Sequence, residues 1–453
     1  MQRRFQKPNR AQLLLLPPSV DAWVPDAHLS RFIWECVASF DLTAFYACYA
    51  KDGAPPYDPQ MMLSTLLYAW CTGIRSSRKI ASACQDQIPY RWLTGNIMPD
   101  HCAFARFRSR HEQSINDLFV QVLSLCHEVG LARVGKVFLD GTKIKGNASL
   151  AASHTRKHLA QEIAKILADT KETDKEEDRQ YGQDKRGDEL PEDLKKSPGR
   201  LERLKQARDI LEKREAEERQ AQEELIRKRD EEEQQSGKKK RGRKPKSPDE
   251  VVNHTRKANV TDPESRIMKG REGYMQGYNS QVVVAENQII LAATVTQDEN
   301  DCHQLEPMLQ EVKETLIEAR IDKVPDSLAA DAGYWREELD IQGIEKNGPK
   351  LFIATKNRIK EAQALKTQPI QAESPVDSSQ KEQMTNRLRT AAGQVIYKLR
   401  SQTVEPVFGQ IKSAMGFRRF LRRGLNAAQS EWSMICSCFN LLKLYRVASG
   451  QTT

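Results

Sequence analysis

The sequence predicts an α/β protein: a mixed sheet flanked by helices, preceded by an all-helical N-terminal segment and interrupted by a long charged helical insert. Three observations lead there. Residues 1 to 130 carry helix start and stop chemistry around apolar runs; from Gly135 onward, short β-branched runs alternate with a helical stretch; and residues 151 to 237 hold 20 basic and 24 acidic side chains with almost no aromatics. The divisions expected are a helical domain over 1–130 and a sheet domain over 131–453, with the insert at 151–257.

A chain of 453 residues is long enough for about three compact units. Hydrophobic residues make up 39%, aromatics 7% and charged residues 29%, so part of the chain is solvated scaffolding. The net charge of +9 favours a polyanionic partner. The apolar run Leu13 to Leu16 stops at Pro17 and Pro18, far short of a membrane span or a secretory signal, so no membrane partner is expected. Nine cysteines without a CxxC pair fit reduced, buried thiols in a cytoplasmic protein.

The N-terminal elements follow from caps. Asp58 and Pro59 open a helix that runs through MMLSTLLYAWC to Gly73. Ser76 opens a second that ends at Asp86 before Pro89, and Asp100 a third. In the third, Phe104, Phe107 and His111 share one face while Arg106 and Arg110 share another. Three short helices with a cationic last one suit a helix-turn-helix; a solvated basic face on an ordinary bundle fits the same pattern.

The runs KVFLD (136–140), SQVVVA (280–285), QIILAATV (288–295), DSLAADA (326–332) and KLFIAT (350–355) read as strands, with GTKIKGN pairing back on the first, and residues 305 to 319 as a helix. The insert is too charged to make a core. Its best heptad seam, Leu204, Ala207, Leu211, Arg214, Glu218, Ala221 and Leu225, is broken by charge, so a long helix protruding from the sheet domain is expected. The basic run 238–246 follows, with Lys238, Lys239, Lys240, Arg241, Arg243 and Lys244 as phosphate contacts. Arg241-Gly242-Arg243 resembles an AT-hook core, but a nonspecific phosphate tether is the preferred reading.

Context selects three acids. Asp140 and Asp331 each end a short apolar run, where an unpaired carboxylate is costly unless it meets a cation or lies at a strand's exposed end. Glu405 precedes Pro406, which fits a first helical turn, so a helix is expected to begin near Glu405. Three such acids, if convergent, would hold two divalent cations in the arrangement used for in-line attack on a phosphodiester. Mg2+ is the expected ion, with Mn2+ as a substitute, because the chain offers hard oxygen ligands and no soft cluster. Tyr397, Arg400 and Lys412 surround Glu405 with a hydroxyl and positive charge suited to phosphate. Asp298, Asp301 and His303 are rival ligands ranked below the chosen three, and Trp335 could stack on an extruded base or pack into the core.

VFLDGTKIKGN, ADAGYW and Tyr397-x2-Arg400-x4-Glu405-x6-Lys412, running into the basic GFRRFLRRG, resemble bacterial insertion-sequence transposases of the DDE class. The resemblance covers roughly residues 45–150 and 255–446. It implies an RNase H-like core, Asp140, Asp331 and Glu405 as catalytic metal ligands, and DNA contacts through Tyr397, Arg400, Lys412, Arg418, Arg419, Arg422 and Arg423. The spacing of Arg400 and Glu405 is one residue longer than usual in the related signature, which bears on Arg400. Expected partners are double-stranded DNA, both terminal inverted repeats and target, and a second copy of the chain on DNA. A non-catalytic DNA-binding relative and a metal-dependent nuclease without strand joining are the rival readings.

Overall fold

The computed structural model describes residues 19–50, 55–181, 199–236, 244–270, 273–355 and 379–450. In the N-terminal segment the helices are α1 (Leu29–Ser39), α2 (Thr43–Ala47), α3 (Pro59–Cys71), α4 (Ser77–Asp86), α5 (Ile88–Leu93), α6 (His101–Arg110) and α7 (Glu112–Glu128). The Asp58 carboxylate accepts from the Met61 amide at 2.9 Å, and Asp100 accepts from Ala103 at 2.6 Å, so both predicted caps close their first turns. Ser76 stands at the start of α4 without a side-chain cap bond. α4 ends at Asp86 as the sequence suggested, and Pro89 sits in the first turn of α5, where its missing N–H has no partner to lose.

β1 (Lys136–Lys145) is the centre of the main sheet. The expected strand pair over 136–147 is one continuous strand, because Gly141 to Lys145 go on pairing with β5 (Gly273–Ala285) in unbroken antiparallel register. On its other side β1 runs parallel to β7 (Ser327–Ala330), which runs parallel to β8 (Lys350–Ile353). β6 (Ile290–Thr296) and β4 (Arg266–Gly270) share the outer edge of β5. A mixed sheet flanked by helices is therefore what the chain builds.

Gly277 is where β5 meets both neighbours, pairing with Lys145 of β1 and Arg266 of β4. A methyl built there lands on the Ile144 carbonyl oxygen, backbone that cannot rotate away. Gly277→Ala is expected to destabilise the fold by about 1–3 kcal/mol through this overlap, read as a lower midpoint in urea unfolding.

The last helix, α15 (Leu425–Ala448), is apolar on nearly every side because it is covered on nearly every side: it packs against α3, α7 and β6. It also blunts the β6 edge. The Asn440 side chain accepts from the Ile290 amide at 3.0 Å and donates to the Ile290 carbonyl at 2.9 Å, and Gln429 does the same for Val295 and Ala293 at 2.7 and 2.9 Å. One hydrophobic cluster consequently runs from α1 through α15 into the sheet.

The insert contains α8 (Arg156–Tyr181), α9 (Arg200–Ser236) and α10 (Pro248–Val251), with a small sheet of β2 (Ser153–Thr155) and β3 (Lys257–Asn259) at its base. The expectation that it makes no core needs correcting. Leu159, Ile163, Leu204, Ala207, Leu211 and Ala258 form a separate buried cluster. The charged residues in and beside the predicted seam are accommodated by pairing: Glu215 takes Arg156 at 2.6 Å, and Glu218 takes Arg256.

α11 (Leu305–Glu318) follows β6, and a short α12 (Ile341–Lys346) precedes β8. Beyond β8 come α13 (Gln380–Arg389) and α14 (Ala391–Gly409). The stretch 357–389 is polar in sequence, and residues 357–378 of it lie outside the described residues.

Candidate active site

Val137, Phe138 and Leu139 of β1 are buried, and Asp140 follows them in mid-strand, not at a strand end as the sequence suggested. The last pair between β1 and β7 is Phe138 with Ala329, and two residues further along each chain stand Asp140 and Asp331. Two residues is one period of an extended chain, so two parallel neighbours deliver their acids to the same side. Asp331 ends its extended segment by capping a single 3-10 turn, Ala332–Tyr334, its carboxylate accepting from the Gly333 amide at 2.8 Å.

The two carboxylates act on each other electrostatically. Burial pushes the Asp140 carboxyl up to about 6; the charge of Asp331 adds to the rise, and the guanidinium of Arg400 opposes it. One Asp140 oxygen accepts from the Gly141 amide at 2.9 Å, the other from Arg400 Nη1 at 3.0 Å. Arg400 is 1% exposed, so its charge is delivered in a poorly hydrated setting.

Glu405 does not start a helix. α14 starts at Ala391, where Thr390 accepts from the Gly393 amide at 3.0 Å, and it carries Pro406 in its interior before a π turn over Gln410–Ala414. A real cap fifteen residues upstream outweighs a proline's preference for the first turn. Glu405 is exposed, and five residues place it about 140° around the helix from Arg400, which faces Asp140. The structure thus brings Asp140 and Asp331 together with Arg400 between sheet and helix. Among the described residues no three His, Cys, Asp or Glu side chains are grouped to hold a metal ion. The Asp140 and Asp331 pair nevertheless suits a hard divalent cation chemically, being two oxygen donors whose mutual repulsion a cation would relieve.

The predicted DNA-contact residues fall into several settings. Lys412 donates to the Thr142 hydroxyl on β1. The Tyr397 ring lies 5.7 Å from the Arg400 guanidinium carbon. Trp335 is partly buried against the core, and its indole N–H has no hydrogen-bond partner among the described residues. The basic loop is stitched to β1: Phe420 donates to the Lys145 carbonyl at 2.8 Å and Asn147 to the Leu421 carbonyl at 2.7 Å. Arg418, Arg419 and Arg423 are exposed on it, whereas Arg422 turns inward to Glu112 and the Arg108 carbonyl. Arg106 and Arg110 are exposed on α6, with Phe104 and Phe107 buried on its other face. Lys244 is exposed; Lys238, Lys239, Lys240, Arg241 and Arg243 lie outside the described residues.

Sequence reasoning missed one group and ranked another low. Arg108 faces Glu431 at 3.8 Å, joining α6 to α15; burial pushes the Glu431 carboxyl up, and Arg108, Arg422 and Arg75 oppose that rise. Neither residue stands out in a chain so rich in charge. The other is Asp301, ranked below the chosen acids, whose carboxylate stands beside Gly141 and Gly333 at the site.

Residues 18–110 match a family described as a transposase domain (DUF772), and residues 241–441 match the transposase DDE domain. Nothing matches among curated proteins or among solved structures. The DDE match takes in Asp301, Asp331, Arg400 and Glu405; Asp140 precedes it in the chain but is tied to it through β1's pairing with β5 and β7. The DDE domain is RNase H-like, in keeping with the mixed sheet and its flanking helices. With a transposase domain on its N-terminal helices and a DDE domain on its sheet, the chain belongs to the insertion-sequence DDE transposases.

Proposed function

We propose that this transposase binds the terminal inverted repeats of its own element as a homodimer, cuts the DNA strands by water attack, and joins the freed 3′-OH to target DNA. The observation that carries the reading is that Asp140 and Asp331 each stand two residues beyond the last register pair of the parallel strands β1 and β7. These two acids, completed by Glu405, would hold Mg2+ or Mn2+. When bound, such ions supply Lewis acidity to the attacking and leaving oxygens of a phosphodiester. Arg400 keeps Asp140 neutralised in the absence of other cations and, with Tyr397 and Lys412, lines the approach of the phosphate.

Exposed Arg418, Arg419 and Arg423 lie on a loop anchored to the catalytic strand, so phosphates gripped there are registered against Asp140. Arg106 and Arg110 are exposed on α6, as a groove-facing helix requires. Trp335 borders the Asp331 turn and would face a displaced base. Among the described residues no helix is long and apolar enough to cross a membrane.

The test is incubation of the full chain with Mg2+ and DNA carrying the element's ends. Joined products are expected. Cleavage alone would make the protein a nuclease, and binding alone a DNA-bridging relative. Glu405→Ala is expected to abolish cleavage and leave DNA affinity intact; full-rate cutting by that variant would remove Glu405 from the site.

A further inference from the structure

Asp301 lies in the loop between β6 and α11, and none of the chemistry above uses it. Its Oδ1 accepts two amide donors from β5, Asn279 Nδ2 and Gln281 Nε2, each at 2.7 Å. A carboxylate accepts only, so it fixes which end of the Gln281 amide faces it, and the Gln281 oxygen is left for a donor. That donor is the hydroxyl of Tyr334, the last residue of the turn that Asp331 caps. Asn279, Gln281 and Tyr334 are all at most 1% exposed.

The neighbouring glycines show how closely this chain passes the catalytic acids. A methyl on Gly141, the residue after Asp140, would strike the Gln281 amide nitrogen and come within 2.8 Å of Asp301 Oδ1. One on Gly333 would stand 3.0 Å from Asp331 Oδ1 and 3.5 Å from Asp301 Oδ2. Asp301 therefore reaches the backbone beside both acids, from a loop belonging to neither strand.

We propose that Asp301, Gln281 and Tyr334 are positioning residues, a hydrogen-bonded chain that fixes the Asp331 turn against Asp140 across β5. The chain holds the two acids in register before DNA or metal arrives. Buried networks of this kind hold geometry because every member is satisfied by the next, so removing one end releases the others. As regards reaction rate, the proposal rests on the transposase reading; as regards the turn, it does not.

The experiment uses the full chain with Asp301→Ala, Asp301→Asn and Tyr334→Phe, reading amide hydrogen exchange alongside Mg2+-dependent DNA cleavage. In Asp301→Ala the amides of 331–335 should exchange about tenfold faster, with those of α15 unchanged, the loss expected of one charge-assisted bond. Cleavage at saturating DNA should fall about tenfold by the same loss. Asp301→Asn keeps an acceptor oxygen for both amides and should stay within about threefold of the parent in both readouts. Tyr334→Phe removes one oxygen without emptying the core, so it should speed the same exchange even where Asp301→Ala folds poorly. Unchanged exchange in Asp301→Ala and Tyr334→Phe would overturn the proposal, as would an Asp301→Asn protein as impaired as Asp301→Ala, which would make the charge the operative property. Failure of the parent chain to cut any DNA would sink the transposase reading and leave the exchange result to decide this one.

Discussion

Asp140→Asn is expected to lower metal-dependent DNA cleavage by about a thousandfold or more, the several kcal/mol that a bound ion contributes to charge stabilisation in such sites. The substitution is nearly isosteric. The side-chain oxygen can still accept from Arg400 or from the Gly141 amide, so the fold should persist while the charge that attracts a cation is gone. DNA affinity should change little, because the exposed arginines proposed to meet phosphate lie elsewhere. Asp140→Ala should be worse in a second way. It strands the guanidinium of Arg400, whose side chain is 2% exposed, and a buried charge deprived of its partner costs about 3–5 kcal/mol. Gel assays of cleavage, filter binding and urea unfolding on the two variants separate the chemical loss from the structural one. Cleavage by Asp140→Asn within tenfold of the parent would mean that Asp140 is not a ligand.

Trp432→Ala should have the largest effect on stability, about 3–5 kcal/mol. The indole is fully buried on α15, its N–H donates to the Gln281 carbonyl at 3.1 Å, and its ring lies 6.0 Å from that of Phe417. It thereby joins the last helix, the central sheet and the basic loop. Truncation leaves a large cavity and an orphaned strand carbonyl. Trp432→Phe keeps most of the ring volume and should cost about 1–2 kcal/mol, chiefly the lost hydrogen bond. Urea denaturation of both variants gives the comparison, and an alanine variant with the parent's midpoint would show that the three layers are not coupled through this residue.

Much of the fold was legible because its signals are local. Asp58 with Pro59 and Asp100 announce their helices through bonds made within three residues. The apolar runs that became β1, β5, β6, β7 and β8 are continuous because their strands are buried on both faces, and such runs are visible without knowing what covers them. Pro406 misled for a physical reason. A proline's preference for a first turn gives the place where a helix can start, while the start itself is fixed by caps and packing further along the chain. The small core under the charged insert was also hidden, since Leu159 and Ile163 lie about forty residues before Leu204, Ala207 and Leu211 and only the packing of α8 against α9 brings them into contact.

For the site, the sequence by itself determined which acids were worth choosing: Asp140 and Asp331 stand out because a carboxylate after an apolar run is costly to leave unpaired, a property of the residue and its immediate neighbours. Only the tertiary structure decided what those acids meet. The pairing of Asp140 with Arg400 spans 260 residues, and that of Asp301 with Gln281 depends on a strand crossing beside Gly141 closely enough to exclude a methyl group. Contacts of that range are set by sheet register and helix docking, quantities summed over the whole core, and no short stretch of residues encodes them.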